Sequence, residues 1–158
     1  MKSMNKTNVM RLLDQKKAVY LPHSYADTDA LSGMEVAAVL GQDPNRVFKT
    51  LVTESPGKQH YVFLVPVCRE LNLKKAAQAV GEKKLEMLKA KLLLPLTGYV
   101  HGGCSSIGMK KPFPTVIHST AGDFDTIFFS AGKIGYQVEL SLTELEKALS
   151  FRLEDVAD

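Results

Sequence analysis

The chain has 158 residues, of which 45% are hydrophobic, and this length and composition predict a single domain over residues 1–158 with its own core. The 20 basic and 17 acidic residues give a formal net charge of +3, too small an excess for a nucleic-acid coat, so no DNA partner is expected and any RNA contact should be local. With two cysteines, no signal-like start and no apolar run near the ~18 residues of a membrane span, the sequence favours a cytoplasmic protein without a membrane partner.

Helices and strands alternate through the first half of the chain. A stripe of Val9, Leu12 and Leu13 predicts a first helix, and residues 19–25 predict an edge strand because the run contains a proline. Ser32 and Glu35 have the spacing of a capping box, which predicts a helix through residue 40 that Gly41 ends. The apolar runs 47–52 and 60–67 flank a turn at residues 55–58, so they should pair as a hairpin.

The second half predicts two helices followed by short strands. Asn72 can cap a helix over residues 73–80, and leucines at helical spacing predict another over residues 83–94 that Pro95 ends. Strands are expected at 98–100, 115–118, 126–130 and 137–140, before a terminal helix that Ser141 and Glu144 open and that runs through Leu149. These elements predict an α+β fold, in which seven short strands form a mixed, largely antiparallel sheet that curls toward a barrel, with helices around it.

Lys49 has an unusual position inside an apolar strand. Side chains alternate along a strand, so Lys49 shares a face with Val47 and Leu51, while Phe48 and Val52 fill the other face. No face is then left for solvent, and a buried ammonium group needs a partner or loses its proton. The alternative is a lysine whose stem packs and whose head reaches water, and the local sequence does not separate the two.

Two glycine-containing loops are candidates for ligand binding. Residues 101–108 read His-Gly-Gly-Cys-Ser-Ser-Ile-Gly, and such glycines let the backbone approach a ligand with N–H groups directed at an oxyanion or phosphate. Residues 130–135 read Ser-Ala-Gly-Lys-Ile-Gly and join the last two strands. Each loop alone fits a plain turn as well. The four histidines and two cysteines show no metal-ligand spacing, so neither a metal nor another cofactor is expected.

Together with Lys49, five segments resemble the YbaK/EbsC family, the free-standing relatives of the editing domain of bacterial prolyl-tRNA synthetase. They occur in the family's order across nearly the whole chain, at residues 47–52 (Val-Phe-Lys-Thr-Leu-Val), 71–77 (Leu-Asn-Leu-Lys-Lys-Ala-Ala), 98–105 (Gly-Tyr leading to Gly-Gly-Cys-Ser), 108–111 (Gly-Met-Lys-Lys) and 130–133 (Ser-Ala-Gly-Lys). The resemblance implies a deacylase that removes a mischarged amino acid from tRNA in trans. Cysteine on tRNA(Pro) is the substrate most strongly implied, with Cys-tRNA(Cys) as an additional candidate.

The resemblance also assigns site residues. Lys49 and Gly102 are implied in catalysis, the lysine as the residue most tied to activity and the glycine through backbone groups offered to the aminoacyl ester. The implied substrate-binding residues are Tyr25, Thr50, Gly103, Ser105, Ser130, Gly132 and Lys133. Ser106 replaces a proline that is common in the family, and Gln137 replaces an aspartate of some members, so a carboxylate role there is not supported.

The chemistry expected of such a site leaves alternatives open. No Ser-His-Asp or Cys-His set is evident, so an acyl-enzyme is not expected. Cys104 is interpreted as a small buried or half-buried thiol, and the family implies that the thiol of a cysteinyl substrate takes part instead. An alanyl-tRNA(Pro) deacylase and a non-catalytic ligand-binding or regulatory module are the competing hypotheses.

The expected partners are the acceptor end of a mischarged tRNA and prolyl-tRNA synthetase. Lys110 and Lys111 adjoin the first glycine loop and Lys133 lies in the second, so these lysines are predicted to hold the acceptor end. No segment resembles an anticodon reader, so the choice of tRNA should come from a complex with the synthetase.

Overall fold

The computed structural model describes residues 5–158. Its helices are α1 (Asn8–Gln15), α2 (Gly33–Leu40), α3 (Leu73–Val80), α4 (Ala90–Thr97) and α5 (Leu142–Leu145), with a 3-10 helix over Ser119–Asp123. Its strands are β1 (Leu21–Ser24), β2 (Phe48–Glu54), β3 (His60–Pro66), β4 (Glu86–Met87), β5 (Thr115–His118), β6 (Ile127–Ser130), β7 (Tyr136–Leu140) and β8 (Arg152–Glu154). Within this range, no helix combines the length and the apolar character that crossing a membrane requires.

The strands form a three-stranded and a five-stranded sheet. The smaller sheet has the order β1-β7-β6, and the larger has the order β4-β2-β3-β5-β8. β5 pairs in parallel with both β3 and β8, and the other neighbours are antiparallel. The sheets meet at a bridge between Val47 and Phe128. The predicted mixed α+β class is therefore confirmed.

The prediction of one sheet curled toward a barrel is wrong. Closure requires every strand to pair with a neighbour around the ring. The larger sheet instead ends at β4 and β8, which are two and three residues long. In residues 5–158 the two sheets are joined by the single Val47–Phe128 bridge and not by a ladder, so the strands divide into two open sheets.

Local capping agrees with the sequence. The Ser32 hydroxyl accepts the N–H of Glu35 at 3.2 Å, and the Glu35 carboxylate accepts the N–H of Ser32 at 3.0 Å. Asn72 caps α3 by accepting the N–H of Lys75 at 3.0 Å. The predicted hairpin is also formed, with Lys49 of β2 opposite Val65 of β3. These features depend on residues close in sequence, which is why the sequence predicts them.

Three other predicted elements differ from the structure. Residues 83–94 are not one helix: β4 adds to the edge of β2, where Leu88 donates its N–H to the Val52 carbonyl at 3.0 Å, and α4 begins at Ala90 with Pro95 inside it. Residues 98–100 form no strand, because Gly98 ends α4 with a φ of +89°. α5 ends at residue 145, and the unpredicted β8 is too short to show an alternating pattern.

The apolar core has a part on each face of the larger sheet. Between the two sheets, Val9 and Leu13 of α1 pack with buried residues of β2, β3, β6 and β7. On the opposite face, Ala76 and Ala77 of α3 cover Phe63 of β3. Both faces of β3 are thus covered, and the open space of the molecule lies beside β2.

Candidate functional site

A cleft of about 480 Å³ lies beside β2, within the size range of small-molecule sites. Its walls come from β2, the start of α2, β4 with the start of α4, residues 101, 102 and 104, and the adjoining ends of β6 and β7. The side chains with polar groups that line it are Tyr25, Ser32, Lys49, Thr50, His101, Cys104, Ser130, Tyr136 and Gln137. No aspartate or glutamate of residues 5–158 lines the cleft, so Lys49 meets no carboxylate inside it.

Lys49 lies at the cleft and is not enclosed by the core. Its side chain is 29% exposed, and its Nζ lies 3.7 Å from Oε1 of Glu70, whose side chain is 88% exposed. The prediction that no face of β2 meets solvent is therefore wrong, because the cleft replaces a protein layer over this part of the strand. An ion pair this exposed is worth at most about 1 kcal/mol, which leaves the ammonium group available to a ligand.

Thr50 and Tyr25 line the same cleft as Lys49. The Thr50 hydroxyl is shielded from water and has no hydrogen-bond partner among residues 5–158. A shielded, unpaired hydroxyl costs free energy, and a polar atom of a ligand would supply its partner. Tyr25 is buried, and its N–H donates to the Gly135 carbonyl at 2.8 Å, which ties the end of β1 to the loop before β7.

The first glycine loop contributes Gly102 to the cleft, but not Gly103 or Ser105. Gly102 has a φ of +89°, a backbone conformation that favours glycine. Gly103 is buried, and a Cβ there would lie 3.1 Å from the backbone nitrogen of Ile134. Ser105 is fully buried, and its hydroxyl accepts the N–H of Ile107 at 3.3 Å. These two residues therefore shape the loop that presents Gly102 and do not themselves face the cleft.

The second glycine loop brings only Ser130 to the cleft. The Ser130 hydroxyl accepts the N–H of Gly132 at 3.1 Å. Gly132 has a φ of +87°, and a Cβ there would lie 2.8 Å from Val9 and 2.9 Å from Tyr99, so this position needs glycine for packing. Lys133 reaches the edge of the site indirectly, with its Nζ 5.5 Å from the centre of the ring of Tyr136, a cleft residue.

Cys104 lines the cleft as a buried thiol. Burial raises the pKa of this thiol to about 11, against the smaller lowering effect of a hydrogen bond with Thr97. The reactive form of cysteine is the thiolate. Cys104 therefore stays protonated and unreactive at neutral pH.

The structure adds a buried amide pair that the sequence did not indicate. Gln42 donates to the Gln137 side-chain oxygen at 2.7 Å, and Gln137 donates back to Gln42 at 3.0 Å. Gln137 is 3% exposed and lines the cleft. The pair joins the residue after the α2 cap to β7, and since the two residues are 95 positions apart, no local signal could have linked them. Ser32, His101 and Tyr136 are further polar residues of the wall that the sequence analysis did not assign to the site.

Lys110 and Lys111 do not line the cleft. The Lys110 ammonium donates to the carbonyl of Pro95, near the C-terminal end of α4, at 3.2 Å. Both side chains are exposed. Their predicted contact with the acceptor end thus stays a prediction.

A sequence profile of the aminoacyl-tRNA editing domain matches residues 28–148 of the chain. The chain belongs to the aminoacyl-tRNA editing domain family. A relative from Enterococcus faecalis, provisionally named the Cys-tRNA(Pro)/Cys-tRNA(Cys) deacylase EbsC, is 47% identical over 141 residues, which make up 89% of this chain and 86% of that protein. The predicted resemblance to YbaK/EbsC proteins is therefore confirmed.

Solved structures share the fold of this editing-family chain. The hypothetical protein APE2540 superposes with a TM-score of 0.85 at 21% identity, covering 96% of this chain and 100% of its own. A structure described provisionally as a trans-editing enzyme for prolyl-tRNA synthetase gives a TM-score of 0.81 at 20% identity, covering 98% and 99%. At these identities the likeness establishes the fold alone.

Proposed function

We propose that this editing-family protein is a deacylase that acts in trans and hydrolyses the ester between a mischarged amino acid, above all cysteine, and tRNA(Pro). The observation that carries the proposal is the presence of Lys49 and Gly102 on the walls of one cleft. The 47% identity to EbsC supports the substrate class. Cys-tRNA(Cys) is a further candidate substrate.

Lys49 and Gly102 have complementary roles in this reaction. The ribose oxygen is a good leaving group, so catalysis needs an oriented ester and stabilisation of the oxyanion that develops on its carbonyl. The backbone at Gly102 offers the ester hydrogen-bonding groups without a side chain in the way. The Lys49 ammonium supplies positive charge beside the ester and the terminal ribose, and Thr50 offers its unpaired hydroxyl.

The protein does not supply the nucleophile in this reaction. Cys104 is the thiol on the cleft wall, and its raised pKa of about 11 keeps it protonated. Instead, the thiol of the cysteinyl substrate attacks its own ester carbonyl: the C–S bond forms as the C–O bond to the ribose breaks, the ribose oxygen takes the thiol proton, and water then hydrolyses the cyclic thioester to free cysteine. Alanine lacks this thiol, so alanyl-tRNA should be the slower substrate.

Selection of the tRNA is assigned to a partner. A cleft for one amino acid distinguishes side chains that differ by a methylene by only about 10–200-fold, and it does not reach an anticodon. We therefore assign the choice of tRNA(Pro) to a complex with prolyl-tRNA synthetase. The reaction would accordingly take place in the cytoplasm, where the synthetase charges its tRNA.

Release of free amino acid from Cys-tRNA(Pro), Ala-tRNA(Pro) and Cys-tRNA(Cys), measured side by side with the synthetase present, tests the proposal. We expect the fastest release from Cys-tRNA(Pro), and background release by the Lys49→Ala variant. Faster release of alanine would instead identify an alanyl-tRNA(Pro) deacylase. No release from any of the three would favour a ligand-binding or regulatory module.

A further inference from the structure

The rim of the cleft exposes apolar side chains. Leu31, Met34 and Met87 all line the cleft, yet they are 69%, 48% and 43% exposed. Leu31 lies two residues before α2, Met34 lies in the first turn of α2, and Met87 comes from β4. Exposed apolar side chains gathered around the entrance of a site indicate a surface that contacts a partner.

Two lysines lie beside this rim. Lys89 stands between Leu88 and Ala90, which both line the cleft, and Lys91 follows in the first turn of α4. Both lysines are exposed. None of the ion pairs formed within residues 5–158 involves either of them. Glu86 beside Met87 is paired with Lys84 at 3.7 Å, and no carboxylate of residues 5–158 lines the cleft walls. Lys89 and Lys91 therefore leave an excess of positive charge on this side of the entrance that fits an anionic partner.

Lys110, which the sequence predicts to hold the acceptor end, contacts the other end of α4. Lys110 donates to Pro95, one turn from the C-terminal end of α4. Pro95 follows Ala90 by five residues, so at a rise of about 1.5 Å per residue it lies roughly 7–8 Å along α4 from the rim. Lys89 and Lys91 therefore flank Ala90 of the cleft wall, whereas Lys110 contacts α4 near its C-terminal end.

We infer that the rim binds the 3′-terminal nucleotides of an RNA acceptor end, with Met34 and Met87 against the terminal base and with Lys89 and Lys91 on the adjoining phosphates. This inference rests on the proposed deacylase function. The aminoacyl ester must reach Gly102 inside the cleft, so the base and phosphates attached to the same ribose have to lie at its entrance. Methionine side chains make favourable contacts with aromatic rings, and lysines neutralise RNA phosphates.

Binding of an uncharged, fluorescently labelled RNA that ends in CCA tests the lysines. Its affinity is measured by anisotropy between 50 and 200 mM salt for the wild type, for Lys89→Ala/Lys91→Ala and, for comparison, for Lys110→Ala/Lys111→Ala. Each pair removes two charges from α4 or its neighbourhood. We expect the first pair to weaken binding about fivefold to tenfold at low salt and to flatten the dependence of log K on log salt by about 1.4, since single strands lose ~0.7 per contact. Lys110→Ala/Lys111→Ala, at the lysines that the sequence predicts to contact the acceptor end, should weaken binding less than Lys89→Ala/Lys91→Ala does.

The same assay tests the methionines. RNA that lacks only the terminal adenine should bind the wild type about threefold to tenfold more weakly, because the contact of the methionines with the base ring is lost. The Met34→Gln/Met87→Gln variant should bind the RNAs with and without the terminal adenine equally well. Unchanged melting temperatures would show that every variant is folded.

The outcomes separate this inference from the deacylase function. With Cys-tRNA(Pro), the Lys89→Ala/Lys91→Ala variant should show a raised KM and an unchanged kcat, while 3′-O-cysteinyl-adenosine, which has no phosphate, should be hydrolysed as by the wild type. If the protein hydrolyses Cys-tRNA(Pro) and the Lys89→Ala/Lys91→Ala variant behaves like the wild type, the deacylase function is retained and the inference about the rim is wrong. A larger effect of Lys110 and Lys111, or no RNA binding at 50 mM salt, would also overturn it. RNA binding that needs Lys89 and Lys91 without any deacylation would support it while removing the deacylase function.

Discussion

Lys49 is the residue on which the proposed reaction depends most. Lys49→Ala removes the positive charge from a cleft that has no carboxylate on its walls, so deacylation should fall by about 100-fold or more. The fold should persist, because the ion pair with Glu70 is exposed. Lys49→Arg should not restore activity, since a planar guanidinium differs in size and geometry. Single-turnover release of cysteine is the measurement.

A matched control for Lys49 is available in its own ion pair. Glu70→Gln removes the partner at 3.7 Å but leaves the ammonium at the cleft, so it should change turnover less than about threefold, as expected for an exposed pair. If Lys49→Ala also stayed within that range, the catalytic role of Lys49 would be wrong.

Gly102 and Gly132 share a left-handed backbone but should fail in different ways. Gly102 has room for a Cβ, with Ile134 3.7 Å away, whereas a Cβ at Gly132 would clash with Val9 at 2.8 Å. Gly102→Ala should therefore cost about 1–2 kcal/mol of stability from backbone strain, and Gly132→Ala about 1–3 kcal/mol more from overpacking. Urea unfolding measures both.

Activity distinguishes the functional role of Gly102 from a structural one. Gly102→Val should abolish deacylation at a temperature where the protein is folded, because the side chain blocks approach of the ester. A folded, active Gly102→Val protein would show that the ester does not approach this backbone.

At the scale of elements, the attachment of the C-terminal strand should depend on pH. His118 of β5 is 2% exposed, and its Nδ1 accepts the N–H of Val156, just after β8, at 3.2 Å. Burial lowers the pKa of His118 below its ordinary 6.5, with the charges of Arg69 and Lys75 acting in the same direction and Asp155 against it. Protonation would also remove the acceptor for Val156.

The sign of this pH dependence follows from the lowered pKa. The unfolded chain binds the His118 proton more readily than the folded one, so the stabilisation is complete above pH 6.5 and is lost as the pH falls through the folded-state pKa. The urea midpoint should thus be lower at pH 5 than at pH 7. The difference between the urea midpoints at pH 7 and pH 5 should be smaller in the His118→Gln variant. The His101→Gln variant, changed at an exposed position, should show the same difference as the wild type. Equal pH dependence in all three proteins would contradict the role of His118.

At the scale of the whole molecule, two open sheets enclose a cleft sized for an aminoacyl group, and the charge of +3 is small. Under the proposed function the cleft takes the acceptor end, and so small a charge predicts weak contact with the rest of a tRNA. The isolated protein should therefore deacylate Cys-tRNA(Pro) and Cys-tRNA(Cys) with kcat/KM values that differ by less than about tenfold. A ratio of this size corresponds to the free energy of one weak contact. Adding prolyl-tRNA synthetase should widen the ratio. Strong discrimination by the isolated protein would rule out the dependence on the synthetase.

Sequence determined the features that depend on near neighbours. The capping pairs of Ser32 and Asn72, the β2–β3 hairpin and the motif around Lys49 are each contained within a few residues, so local physics and family resemblance both identify them. The position of Gly102 on a cleft wall was implied in the same way.

Only the tertiary structure decided how these pieces meet. β4 forms because residues 86–87 find the edge of β2, and β8 forms because β5 offers it a parallel partner; neither segment has a local pattern that requires a strand. The same long-range pairing leaves a cleft over β2, which gives Lys49 access to solvent, and joins Gln42 to Gln137 across 95 residues. Sheet pairing and side-chain packing depend on residues far apart in the chain, and that is why two open sheets replaced the predicted curled one.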